Sequence, residues 1–364
     1  VKRRVFLGLG GAFVAASAIG GWALSSHGEQ PLLLSARNDA DGRHYAVGYR
    51  LDGSCVFATL VNERCHDVHA HPYLPLAVFV GRRPSRESYL IDTRDGSLLQ
   101  VLATPDDRHF YGHGVFHASG DWFYTTENDT RDAGRGVLGI YRLEEQRLVR
   151  TGEHPTHGIG PHQLLWMPDG ETLVIANGGI RTEADSRDMM NLDAMEPSLV
   201  LLHRDGTLIS KEQLPERMNS VRHLAVAADG TVVSGQQYEG DPLDQAPLLA
   251  IKRPGQAFQP FPVSEAQRLT MNQYTASLAI HDELRLLAVT APRGNKVLLW
   301  DLDSAELRQE IHLPDCAGVS ATKEGFVVSA GQGRCRLLDC SSKRVVSTPL
   351  ELPAGLWDNH LRLV

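Results

Sequence analysis

The chain has 364 residues, 42% hydrophobic, 22% charged and 7% aromatic, with 34 glycines and 19 prolines. That is a globular composition, and it excludes disorder, collagen and coiled coil. A formal net charge of −8 argues against nucleic acid as a partner, because phosphate recognition needs a basic face. Five cysteines, none in a CxxC pair, are too few and too scattered for a disulfide scaffold. Cys55, Cys65 and Cys316 remain candidates for pairing in an oxidising compartment, whereas the spacing of Cys335 and Cys340 specifies no metal site.

At the N-terminus, Lys2, Arg3 and Arg4 precede an uncharged, Gly- and Ala-rich run from Val5 to Ser26. A basic segment followed by an apolar one is an export signal. Arg3-Arg4 with Phe6 and Leu7 resembles the twin-arginine motif, although Lys2 and Gly8 depart from its usual flanks. Residues 1–26 are therefore expected to direct the chain to the periplasm, either cleaved near Trp22–Ser26 or kept as an anchor. The glycines of the run argue against a permanent span. Membrane contact is expected only through this segment, and residues 27–364 form the folded body.

That body repeats. A β-like run, a turn of the P-D-G kind, a second β run and a polar loop recur at His66, His113, His162 and His223, as in HQLLWMPDGETLVIANGG and HLAVAADGTVVSGQQ. Weaker copies start at Ser277 and Gly318. Each continues into third and fourth β-like runs, which is the pattern of a β-propeller blade. The chain ends in WDNHLRLV, a first strand carrying His360 in phase and followed by nothing. The three missing strands are PLLLSAR, HYAVGYRLDG and CVFATLVN at the other end of the chain, so both termini build one blade. Starts at 66, 113, 162, 223, 277, 318 and 360 predict an all-β, seven-bladed propeller.

In that fold the first strand of each blade lines the central channel, so His66, His113, His162, His223 and His360 are expected as an arc around its mouth. Neutral imidazole suits Cu, Zn, Fe and Ni, and the arc is a candidate metal site for Fe or Cu. His113, His162 and His223 are the first candidates, with His66 and His360 next. A ring of structural histidines tying blade to blade, or an acid–base or anion-binding role, would give the same pattern. His69, His71, His117 and His154 fall outside the phase and are expected at the surface.

The second-to-third-strand connections share the face of the arc. They supply Arg82, Glu127, Asn128, Asn177, Gln236, Arg293 and Asn295 as candidate ligand-binding residues, with Arg222 beside His223. Glu127 is expected to complete a metal's ligand set or to orient a histidine. Arg82, Arg222 and Arg293 suit an anionic chelate or a carboxylate. The carboxylates Asp129, Asp185 and Asp188 lie on the same face. The longest connection, residues 176–198, carries Met189, Met190 and Met195, either as soft ligands or as apolar anchors. GxGxxG, P-loop, HExxH and GxSxG are absent, which leaves nucleotide, zincin and serine-hydrolase chemistry without support.

GHGVFHASG, GIGPHQLLWMPDGETLVIANGGI, NLDAMEPSLVLLHRDG, SVRHLAVAADG and the APRGN segment together resemble domain-of-unknown-function family 1513. The resemblance implies a twin-arginine-exported, propeller-like periplasmic protein that accompanies imelysin-type and di-haem oxidoreductase-like proteins in iron or metal acquisition. GIGPHQLLWMPDG also resembles repeats of 6-phosphogluconolactonase-type propellers, which implies a lactonase-like hydrolase using His and Arg. A metal-dependent oxidoreductase and a protein-docking scaffold without catalysis are the other functions compatible with this face.

Overall fold

A computed structural model describes residues 31–182, 188–331 and 333–364. Residues 1–26, expected to direct export, Asp185 and the tip of the long connection lie outside the described residues. The strands form seven separate four-stranded antiparallel sheets, as expected for a propeller. The inner strands of blades 1 to 7 are Leu356–Leu363, Cys65–Ala70, Arg108–Phe116, Pro161–Trp166, Asn219–Val226, Ser277–His281 and Cys316–Ala321. Each packs against the inner strands on either side, and Cys316–Ala321 packs against Leu356–Leu363, which closes the ring. Blade 1 is the closure: Leu356–Leu363 pairs with Leu32–Asn38, followed outward by His44–Arg50 and Cys55–Val61.

The pleat explains why these segments are strands. In Leu76–Gly81 of blade 2 every residue is buried. Leu76, Val78 and Val80 pack with blade 3, while Ala77 and Phe79 pack with blade 1, because successive side chains leave opposite faces. The same division gives seven apolar clusters, one at each blade–blade interface. Stability is thus distributed around the ring, and the channel mouth is free to carry polar groups.

An inner strand has its free edge toward the axis, so regular pairing would aim its side chains at neighbouring blades rather than into the channel. The register slips where the histidines stand: across Cys65/Asp67, Phe110/Gly114, Pro161/Leu164 and Val221/His223, and opposite His360 between Ser35 and Arg37. Such bulges re-aim side chains and leave backbone groups to be satisfied from elsewhere. Second-strand hydroxyls do so here: Thr126 Oγ1 donates to the His162 carbonyl at 2.9 Å and Ser35 Oγ to the His360 carbonyl at 2.6 Å. Blade 7 slips at Gly318, where a Cβ would lie 2.5 Å from the Leu361 nitrogen. Gly112, at φ +106°, serves the bulge of blade 3; a side chain there would meet the His66 ring at 2.7 Å.

Two expectations are corrected. All five cysteines are free, and the proposed pairing partners Cys55, Cys65 and Cys316 stand in three different blades. The out-of-phase histidines are not surface residues: His71 is buried and His69, His117 and His154 are half-buried. His71 and His117 instead do the blade-tying work. The His71 Nδ1 accepts from the Tyr73 and Leu74 amides at 3.0 and 2.9 Å, so its Nε2–H donates to the Gly120 carbonyl of the next blade's turn at 3.1 Å. His117 reaches Gly170 at 2.9 Å and His281 reaches Lys323 at 3.1 Å in the same way. Among the described residues no helix is long and apolar enough to cross a membrane.

Candidate metal centre and channel-mouth cavity

The bulged inner strands bring all five in-phase histidines to one place. Around the ring, centroids are 5.0 Å apart for His66–His113, 4.7 Å for His113–His162, 4.7 Å for His162–His223, 5.0 Å for His223–His360 and 4.8 Å for His360–His66. Four of them, His66, His113, His223 and His360, each place one ring nitrogen within 4.8 Å of the others. His162 packs beside this group and lines the cavity above it.

The hydrogen bonds assign the nitrogens. The His223 Nδ1 faces the Thr275 carbonyl at 3.1 Å, and a carbonyl only accepts, so Nδ1 carries the proton and Nε2 is bare. The His66 Nδ1 donates to Asp358 at 2.7 Å and the His113 Nδ1 to Asp67 at 2.9 Å. The Nε2 atoms of His113, His223 and His360 are buried and have no hydrogen-bond partner among the described residues. The blade-tying histidines use the opposite tautomer, which separates the two sets chemically. Each carboxylate belongs to the blade before the histidine it holds, so the contact runs blade 1 to 2 and blade 2 to 3.

Burial disfavours the charged imidazole. It pushes His66 down to about 4, against the opposing pull of Asp358, and holds His162, His223 and His360 well below the ordinary histidine range. Burial alone would raise Asp358, but His66, Arg82 and Arg64 hold its carboxyl well below the usual range. Asp67 is likewise held low, through its hydrogen bond from His113 and the nearby charges, against its burial. The result is a ring of buried imidazoles, four of them held toward the neutral form, with two carboxylates one hydrogen bond away, the arrangement that orients ligands and balances a cation. A tetrahedral ion with Zn–N-like bonds would hold nitrogens ~3.4 Å apart, so the four need only a small inward shift from their present spacing.

Above the cluster lies a cavity of about 370 Å³, with His66 and His162 at its floor. Arg82, Arg83, Arg222 and Arg293 line it with Tyr111, Tyr274, Gln237, Glu239 and Asn359. Of the predicted ligand-binding residues, the structure thus brings Arg82, Arg222 and Arg293 to the mouth. Glu127 reaches no histidine: fully buried in blade 3, it takes Arg150 Nη1 at 2.7 Å, and Thr125 and Tyr141 at 2.8 Å each. Asp129 is tied to Arg108 and Arg135.

Asn128, Asn177 and Gln236 are also fully buried, in second strands rather than loops, and do not line the cavity. Period-two alternation puts Gln237, not Gln236, on the cavity side. Asn295 caps a short turn and accepts from the Asp315 amide at 3.0 Å. Met189 lines the cavity, Met195 is buried under its loop and Met190 is exposed. The residues missed were Asp67, Asp358, Tyr111, Tyr274 and Asn359. The only signal in the sequence was an Asp one or two residues from an in-phase histidine, in HDVH from His66 and DNH from Asp358.

The family model described as "Protein of unknown function (DUF1513)" matches residues 59–364. The chain belongs to the DUF1513 family. Its match spans all the histidines of the centre. No curated protein matches. Among solved structures, Kuenenia stuttgartiensis hydrazine synthase is similar at 13% identity and a TM-score of 0.61, covering 90% of this chain and 99% of that one. Saccharomyces cerevisiae Sqt1 is similar at 13% identity and a TM-score of 0.52, covering 80% and 86%. At these identities the likeness concerns the propeller fold alone.

Proposed function

We propose that this DUF1513 protein is a periplasmic metal-binding propeller, holding one Fe or Cu ion on His66, His113, His223 and His360. The single observation that carries this reading is the convergence of four buried imidazoles, three of them with a buried and unpartnered Nε2. Burying bare nitrogens without a partner costs free energy, and a metal ion would recover it. In this reading the protein is accessory to iron or metal acquisition, exported by the twin-arginine route, with imelysin-type and di-haem oxidoreductase-like proteins as partners. Those physiological elements rest on the family resemblance.

Elemental analysis with an absorption spectrum, on protein exported by its own leader and purified without a His tag or chelator, tests the metal. About one equivalent is expected, lost in the His113→Ala/His223→Ala double variant while circular dichroism still reports a folded propeller. Protein that is metal-free and takes up no added Fe, Cu or Zn overturns the reading. A second reading, a metal-dependent enzyme on the same face, is favoured by the cavity that leaves His66 and His162 reachable from solvent. Turnover that disappears with the metal would distinguish it from binding alone.

A further inference from the structure

Among the described residues that line it, the cavity carries more guanidinium groups than carboxylates. Arg82 and Arg83 follow the second strand of blade 2, Arg222 lies on the inner strand of blade 5, and Arg293 follows the second strand of blade 6. In a ring of seven, blades 5 and 6 are the two farthest from blade 2, so the guanidinium groups approach from opposite sides. Arg82 reaches Asp358 at 3.2 Å, an oxygen it shares with Arg64, and Arg222 reaches Glu239 at 3.3 Å. Arg293 lies over the Tyr274 ring at 5.2 Å and has no carboxylate partner among the described residues. Glu239 is the one carboxylate among the described lining residues. Burial first, and then the charge of Arg83 across the mouth, push Arg222 below its ordinary range.

Guanidinium groups stay protonated, and low-dielectric walls focus their field on whatever enters. Their planar forks match carboxylate oxygens in pairs. A one-centre anion would satisfy one side of the mouth and leave the other uncompensated. A cavity of about 370 Å³ is at the small end of ligand pockets, which suits a compact acid rather than a peptide. We infer that the cavity is a binding site for a small polycarboxylate, one carboxylate held from the Arg82 side and another by Arg222 and Arg293. That such an anion also reaches a metal on the histidines rests on the metal reading above; the anion site itself does not.

Isothermal titration calorimetry on the full chain, stripped of metal with the neutral chelator 1,10-phenanthroline, tests this with citrate, succinate and inorganic phosphate. Citrate and succinate are expected to bind in a salt-sensitive way, and phosphate more weakly. Arg293→Ala, which removes an exposed side chain, should weaken citrate by at least about tenfold while metal content stays at the wild-type level. Arg222→Gln is the second variant. Absence of citrate and succinate binding at millimolar concentration, phosphate binding as tight as citrate, or unchanged binding in both variants would each overturn the inference. Citrate binding by wild-type protein that holds no metal would leave it standing and remove only the metal reading.

Discussion

Asp358 offers the sharpest test of how the centre is organised. Its side chain is 1% exposed; Oδ1 accepts from His66 Nδ1 at 2.7 Å, and Oδ2 from Arg64 Nε at 2.7 Å and Arg82 Nη1 at 3.2 Å. In Asp358→Asn the amide NH2 must face either the guanidinium donors or His66. Facing the arginines, it sets donor against donor. Facing His66, it favours the tautomer with the proton on Nε2, where the metal should bind. Either way one buried negative charge is lost from beside the proposed cation site. Loss of such a partner weakens metal binding ~10–100-fold. Breaking a buried pair costs ~3–5 kcal/mol, and because Arg64 and Arg82 are 37% and 22% exposed the lower part of that range applies. Competition against a chromophoric chelator measures the affinity and urea unfolding the stability. A folded variant whose metal affinity stays within about threefold of wild type would refute the carboxylate–histidine arrangement.

Three further outcomes follow from the same structure. The folded His66 titrates at about 4 against 6.5 for the free side chain, so between those values the unfolded chain binds more protons. Stability of the metal-free protein should be full above pH 6.5 and fall as pH drops toward 4, by ~3 kcal/mol from His66 alone, with His162, His223 and His360 adding the same sign; urea midpoints flat across that window would contradict neutral buried imidazoles. His71→Ala strands the Gly120 carbonyl and two amides and should cost ~1–3 kcal/mol with metal content unchanged, as read by thermal unfolding and elemental analysis. Glu127→Ala removes one of the two carboxylates that hold Arg150, leaving Glu153, and takes the acceptor from the Tyr141 hydroxyl, so it should cost ~3 kcal/mol, the lower end for a broken buried pair, again without metal loss; a Glu127→Ala protein of wild-type stability that has lost its metal would return Glu127 to the ligand set.

Whether a polar residue reached the site depended on facts of different range. The histidines at 66, 113, 162, 223 and 360 were legible because they recur in phase with a turn signal, and phase in a repeat is position on the channel. Arg82 and Arg293 were legible because they follow second strands on the same face, and Arg222 because it stands beside the in-phase His223. Glu127, Asn128, Asn177 and Gln236 were misplaced by one or a few residues, since strands run further than the turn signals suggest and a one-residue step reverses the face. His71 and His117 looked like surface residues because their partners, the turns of the next blade, lie about 50 residues on.

The sequence by itself determined the blade count, the closure through both termini and the ring of histidines. All three are properties of a repeat whose apolar alternation demands a neighbour on each face. Tertiary structure alone decided which imidazole nitrogens are bare. That choice is made by Asp358, Asp67 and the Thr275 carbonyl, whose separations from their histidines along the chain are 292, 46 and 52 residues. A hydrogen bond acts over about 3 Å of space whatever the length of chain between its partners. Only the closed ring brings those groups into range, and with them the chemistry of the channel mouth.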